Sequence, residues 1–190
     1  KNKRFKSESD TELLFQLLSN YEISKVLNLV NGMFAFGYFH KSEKTLYLCR
    51  DRLGIKPLYF VQRDGSFGFS SELTGLARSF DATISTESVV AYLGYSYVPA
   101  PNTIFTDIFK LMPGEEIYYR HGEITRNVYW HYPEIETWKG SAEEAASNLD
   151  RMLKAAIEKQ MISDVPLGVF LSGGVDSSAI ASYANDISGE

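Results

Sequence analysis

Apolar positions along the chain change period several times, and each change predicts an element. Leu13, Leu14, Leu17, Leu18 and Tyr21 recur at helical spacing. Ser9 precedes that run and Glu12 follows it by three, which predicts a capping box opening the helix. A second short helix is expected over 22–29, stopping at Asn31-Gly32. Met33 to Phe39 is apolar throughout, so a strand buried on both faces is expected there. Thr45 to Cys49 returns as a second strand after a turn at Ser42-Glu43-Lys44, and Asp51 to Lys56 reads as a loop. Pro57 to Gln62 and Phe67 to Ser70 form a further hairpin turned at Asp64-Gly65. Short helices are expected over 71–79 and from Thr86, read as the cap, to Leu93. Val98 to Asn102 is an extended loop, Met112-Pro113-Gly114 a turn, and 115–119 and 123–129 a last pair of strands joined at His121-Gly122.

After an irregular stretch at 131–140 the pattern becomes helical again. Ser141 and Glu144 predict a second capping box, and Ala145, Leu149, Met152, Leu153, Ala156, Ile157 and Met161 lie on one face. That helix, of about five to six turns, delivers the chain to an apolar strand from Val165. The strand is followed by Ser172-Gly173-Gly174-Val175-Asp176-Ser177-Ser178 and a helix-like run from Ala179. Antiparallel hairpins with helices around them predict a layered α+β domain over 1–130, a linker at 131–140 and the start of a second domain over 141–190.

Composition narrows the function classes. The chain of 190 residues is 44% hydrophobic, enough to build a core, and its net charge of −5 argues against a nucleic-acid surface. No apolar run reaches the length of a membrane span, and a single cysteine excludes an internal disulfide framework and suits a reducing, cytoplasmic setting. The basic stretch from Lys1 to Lys6 reads as a solvated loop. The chain opens on Lys1 and stops just after a lone strand, loop and helix, so it reads as an internal piece cut at both ends.

The Ser172 to Ser178 loop carries the clearest chemistry. Two glycines let the backbone turn and approach a ligand, and the loop opens a helix whose first N–H groups lack helical partners. With the hydroxyls of Ser172, Ser177 and Ser178 they suit an oxyanion such as phosphate. Asp176 would repel a phosphate unless a cation such as Mg²⁺ lies between them. No Gly-Lys-Ser/Thr follows, so this is not a Walker A loop; a plain turn with a helix cap is the simpler alternative. Arg50, Asp51 and Lys56 invite a catalytic reading, but a buried ion pair organising the loop accounts for them equally well. Cys49 lies in an apolar strand and reads as a core residue. His40, His121 and His131 show no metal or triad spacing.

The blocks together resemble glutamine-hydrolysing asparagine synthetases. They are Ser9-Asp10-Thr11-Glu12, Asn31 to Phe36, Arg50 to Tyr59, Ser70-Ser71-Glu72, Met112-Pro113-Gly114, and Asp164 to Ser178. The resemblance implies an antiparallel four-layer αββα glutaminase sandwich lacking its N-terminal part. The first helix, strand, loop and helix of a parallel-sheet ATP pyrophosphatase domain would follow. It implies glutamine, aspartate and ATP as substrates, Mg²⁺ as cofactor, an acyl-adenylate on the path, and an assembly for which a homodimer is open. Asp10 would bind the glutamine ammonium, a role compatible with opening a helix. Phe170, Leu171, Ser172, Gly173, Gly174, Val175, Asp176, Ser177 and Ser178 would bind ATP through its pyrophosphate, with Asp176 as metal ligand. The family's nucleophile is an N-terminal cysteine, so no catalytic residue is expected here and the chain alone should be inactive. Alternatives are an amidotransferase of the same architecture acting on another carboxylate such as a sugar acid, a β-lactam synthetase-like enzyme, and a non-catalytic remnant.

Overall fold

The computed structural model describes residues 5–7 and 9–189, so residues 1–4 of the expected basic loop lie outside the described residues. The chain forms two units, Lys1–Pro133 and Glu134–Glu190. In the first, α1 (Asp10–Leu18) and α2 (Ile23–Leu29) precede a hairpin of β1 (Ala35–His40) and β2 (Thr45–Arg50). A second hairpin follows, β3 (Tyr59–Arg63) and β4 (Ser66–Ser70), then α3 (Leu73–Ser79) and α4 (Thr86–Tyr95), then β5 (Ile108–Lys110), β6 (Glu115–Arg120) and β7 (Glu123–Val128). The strands make two antiparallel sheets, ordered β1-β2-β6-β7 and β4-β3-β5.

The sheets face each other across an apolar core. Leu48, Leu58, Phe60, Leu111 and Ile117 fill it, with Phe67, Phe109 and Ile124 around them. Each fully buried aliphatic side chain contributes about 1.5–3 kcal/mol. Close approach sets one residue type: a Cβ on Gly37 of β1 would lie 2.7 Å from the Phe69 ring of β4. The opposite face of the three-stranded sheet is covered by α3, through Val61, Ile108, Leu76 and Ala77. The opposite face of the four-stranded sheet meets α1 and α2, where the Tyr38 hydroxyl donates to the Leu18 carbonyl at 3.5 Å. Helix, sheet, sheet and helix stack in that order, the four-layer arrangement that the resemblance implied, with two sheets where the hairpin pattern alone suggested one.

Local signals account for most of these elements. Asp64 and Gly65 both take positive φ, 52° and 75°, as a two-residue hairpin turn matching strand twist requires. Four expectations need correction. Met33 to Phe39 is not buried on both faces. The strand begins at Ala35, Met33 and Phe39 are exposed, and among the described residues β1 has only β2 beside it. The box at Ser9 does not close: Ser9 Oγ accepts from the Thr11 N–H, but Glu12 reaches past Ser9 to residues 6 and 7. The cap of α4 is Ser85 rather than Thr86, since Ser85 Oγ accepts from the Ser88 N–H at 3.2 Å.

The fourth correction lies in the second unit. It holds α5 (Ala142–Gln160), opened by the expected Ser141–Glu144 capping box, and α6 (Val175–Ser188). The apolar run from Val165 forms no β-ladder, because a strand needs a hydrogen-bonded neighbour and no other strand is present among the described residues of this unit. The same lack leaves Val165, Leu167, Phe170 and Leu171 exposed, and no residue of α5 fully buried. The final helix begins at Val175, so the last four residues of the phosphate-loop sequence form its first turn rather than loop. The two helices meet through the Tyr183 hydroxyl, which donates to Asp150 Oδ1 at 2.6 Å.

Candidate functional site

The first candidate is the N-terminus of α1. Asp10 and Glu12 both stand in its first turn and both are exposed. Their surroundings differ. Glu12 Oε2 accepts from the Ser7 hydroxyl at 2.7 Å, the Ser7 N–H at 2.8 Å and the Lys6 N–H at 3.1 Å, while Oε1 accepts from the Lys6 N–H at 3.0 Å. The Lys6 N–H and the Ser7 hydroxyl hold the Glu12 carboxyl below its usual range. Asp10 has one long contact, from the Thr11 hydroxyl to Oδ1 at 3.4 Å. Of the two acids, Asp10 is the one with oxygen lone pairs left for an incoming cation.

The second feature is a knot joining residues 50–56 to 111–115. Asp51, 1% exposed, accepts from the N–H groups of Leu53 (3.1 Å), Ile55 (3.0 Å) and Lys56 (2.9 Å). Arg50 donates to the carbonyls of Leu111 (2.5 Å), Gly54 (2.6 Å) and Lys56 (2.7 Å), and burial pulls its guanidinium below its ordinary range. The expected ion pair is therefore replaced by two separate sets of side-chain to backbone bonds. The Gly114 N–H completes the knot on the Asp51 carbonyl at 2.9 Å, and a Cβ on Gly54 would lie 2.8 Å from Pro113. Glu115 closes the turn, accepting from the Met112 N–H at 2.7 Å and from Arg126 Nε at 2.5 Å. Arg52 ties the knot to α2, donating to the carbonyls of Leu27 (2.9 Å) and Val30 (2.7 Å). Two sequence blocks some sixty residues apart are thus one structural object.

Cys49 is fully buried beside this knot, and burial, with Glu116 opposite it, pushes its thiol well above its usual range. A thiol so held is neutral and shielded, the state of an inert core cysteine. His40 sits near Ser42 and Glu43, both at 3.4 Å, and His121 occupies a turn with φ of 52°; no group of metal-ligating side chains occurs among the described residues.

The third feature is the start of α6. Gly173 takes φ of 83°, which glycine adopts without strain. The first bond of the helix runs from the Ser178 N–H to the Gly174 carbonyl at 3.0 Å, and no side chain caps it. The N–H groups of Val175, Asp176 and Ser177 therefore have no helical acceptor. Ser172 Oγ and Ser177 Oγ lie 3.0 Å apart across the loop, and Ser177 Oγ also donates to the Gly174 carbonyl at 3.1 Å. Asp176 is exposed in the first turn, and Phe170, Leu171 and Ser178 are exposed as well. An open set of N–H donors, two hydroxyls and one carboxylate fits a phosphate chain with Mg²⁺, which binds through one or two carboxylates plus phosphate oxygens.

A family model described as a glutamine amidotransferase domain matches residues 1–130. The chain belongs to the glutamine amidotransferase family. Residues 148–190 match a second model, described as asparagine synthase. It is 33% identical over 186 residues to "Asparagine synthetase [glutamine-hydrolyzing] 1" of Bacillus subtilis, covering 96% of this chain and 29% of that protein. It is 34% identical over 181 residues to "Putative asparagine synthetase [glutamine-hydrolyzing] 2" of Methanocaldococcus jannaschii, covering 90% of this chain and 34% of that protein. The chain thus spans about a third of the length of these relatives. A solved glutamine phosphoribosylpyrophosphate amidotransferase from B. subtilis superposes with a TM-score of 0.48 at 16% identity, over 97% of this chain and 39% of that one. Among the described residues no helix is long and apolar enough to cross a membrane.

Sequence reasoning missed the anchoring role of Glu12 and the division of labour between Arg50 and Asp51. The spacing of Glu12 from Ser9 was a signal, but it pointed to the wrong acceptor geometry.

Proposed function

We propose that this chain is part of an enzyme that amidates aspartate to asparagine, drawing ammonia from glutamine and energy from ATP. The observation that carries the reading is the pairing, in one chain, of a segment matching a glutamine amidotransferase domain with a segment matching asparagine synthase that holds a glycine-rich helix start with uncapped N–H groups. Asp10 accepts the ammonium of glutamine with the oxygens that its neighbours leave open. At the other end of the chain, the N–H groups of Val175, Asp176 and Ser177 receive phosphate oxygens of ATP. Asp176 would hold Mg²⁺, which supplies positive charge against the departing pyrophosphate. A carboxylate is a poor acyl donor until it carries a good leaving group. Adenylation of the aspartate side chain supplies AMP as that group, and ammonia displaces it.

We expect none of the described residues to supply the nucleophile for glutamine hydrolysis. The chain's one cysteine is buried and neutral, and lacks the free α-amine that activates an N-terminal nucleophile. The purified chain of 190 residues is expected to release no ammonia from glutamine. Ammonia release from a preparation free of longer enzyme would refute this.

The reading as a whole is tested on the full-length enzyme by an acceptor screen. With ATP, Mg²⁺ and ammonia, pyrophosphate and AMP should appear with aspartate and not with sugar acids. Release with a sugar acid and none with aspartate would replace aspartate as the acceptor while keeping the chemistry.

A further inference from the structure

We infer that Glu12 is a positioning residue for the glutamine-binding end of α1: it ties the segment before the helix across the helix start and leaves Asp10, of the two acids in the first turn, as the one open to a ligand cation. This rests on the reading of Asp10 as the glutamine-ammonium acceptor.

The argument starts from two acids in one helical turn. Either could accept an ammonium group, and both gain from the positive end of the helix. The structure distinguishes them by their hydrogen bonds. Both oxygens of Glu12 are engaged, by the Lys6 N–H, the Ser7 N–H and the Ser7 hydroxyl, at 2.7 to 3.1 Å. A carboxylate that accepts this many N–H and O–H bonds has little capacity left for another donor. The bonds also have a mechanical effect. They cross five and six residues of chain, from the third position of the helix to a point before its cap. Ser9 adds a cap of its own on the Thr11 N–H, and the Ser9 N–H donates to the Ser7 hydroxyl at 3.4 Å. The segment carrying Asp10 is therefore held from both sides. An ordinary capping box would have returned Glu12 to Ser9 and left residues 6 and 7 unanchored.

The test uses the full-length enzyme with Glu12→Gln, Ser7→Ala and Asp10→Ala. Glutamine replaces one accepting oxygen with a donor group: with its oxygen at the Oε2 position, the Lys6 N–H loses its Oε1 acceptor and faces an N–H there instead. Trypsin cleavage after Lys6 should become about tenfold faster in Glu12→Gln, and KM for glutamine should rise about tenfold with kcat at saturating glutamine within about twofold. Ser7→Ala, which removes a single donor, should shift both readouts in the same direction by a smaller factor. Faster cleavage with an unchanged KM, while Asp10→Ala raises KM, would overturn the positioning role and leave the Asp10 reading standing. An unchanged KM in Asp10→Ala would overturn the glutamine-site reading and this inference with it. A fall in kcat without a change in KM would also overturn it, since a positioning residue for binding acts on KM.

Discussion

Asp176→Ala in the full-length enzyme is expected to abolish ATP-dependent pyrophosphate release while glutamine hydrolysis continues. Asp176 is exposed in the first turn of α6, and the described structure gives its carboxylate no part in holding the fold. Its removal should therefore leave the folded state nearly unchanged, as surface substitutions usually do. The proposed function gives it one task, to hold the cation that offsets the charge of phosphate. Without a carboxylate there, the metal would keep only phosphate and water ligands at this point. Loss of a preorganised charge at a reacting phosphate costs at least about two to three powers of ten in rate. The two activities are measured on the same preparation, pyrophosphate by a coupled assay and glutamate by release. Loss of both in equal measure would point to misfolding and would sink the assignment of Asp176 to the phosphate site.

Asp51→Ala should be the most damaging single change to the fold of the first unit, at about 3–5 kcal/mol. The carboxylate is buried and accepts three backbone N–H bonds, so its removal strands three donors where water is scarce. Each stranded group costs about 1–3 kcal/mol, discounted because the loop can relax toward solvent. The damage should spread, since the Asp51 carbonyl also receives the Gly54 and Gly114 N–H groups. Arg50 spans the same two segments through the Leu111 carbonyl. Asp51→Asn should lose less, because it keeps one acceptor oxygen and opposes N–H to N–H at the other. Urea denaturation followed by tryptophan fluorescence measures both. A loss below about 1 kcal/mol for the alanine variant would mean that the loop is held by Arg50 and packing alone.

The two predictions differ in how far they could be read before the fold was known. The Ser172 to Ser178 run stands out in sequence because its chemistry is local: glycines, hydroxyls and a helix start within seven residues. Asp51 does not stand out, because its partners are backbone groups that any sequence could supply. Arg50 beside Asp51 suggested an ion pair on the strength of opposite charges. In the fold, each side chain turns away to backbone groups of a loop that neither could have specified alone. Glu12 lies between these cases. Its spacing marked a helix start correctly, and the identity of its partners depended on where residues 6 and 7 travel.

The sequence by itself determined the helix starts at Ser9 and Ser141, the hairpin turns at Asp64-Gly65 and His121-Gly122, the apolar faces, and the order of blocks that marks an amidotransferase with a synthetase segment. These depend on caps, backbone conformations and periodicities that act within a few residues. The tertiary structure alone decided that β2 pairs with β6 as well as β1, and that β1, with only β2 beside it among the described residues, has an exposed face. It alone also joined residues 50–56 to 111–115 in one knot and left the run from Val165 without a ladder. Each of these depends on a partner distant in sequence, or on its absence. A hydrogen bond or a buried face exists only where the fold brings such a partner into reach.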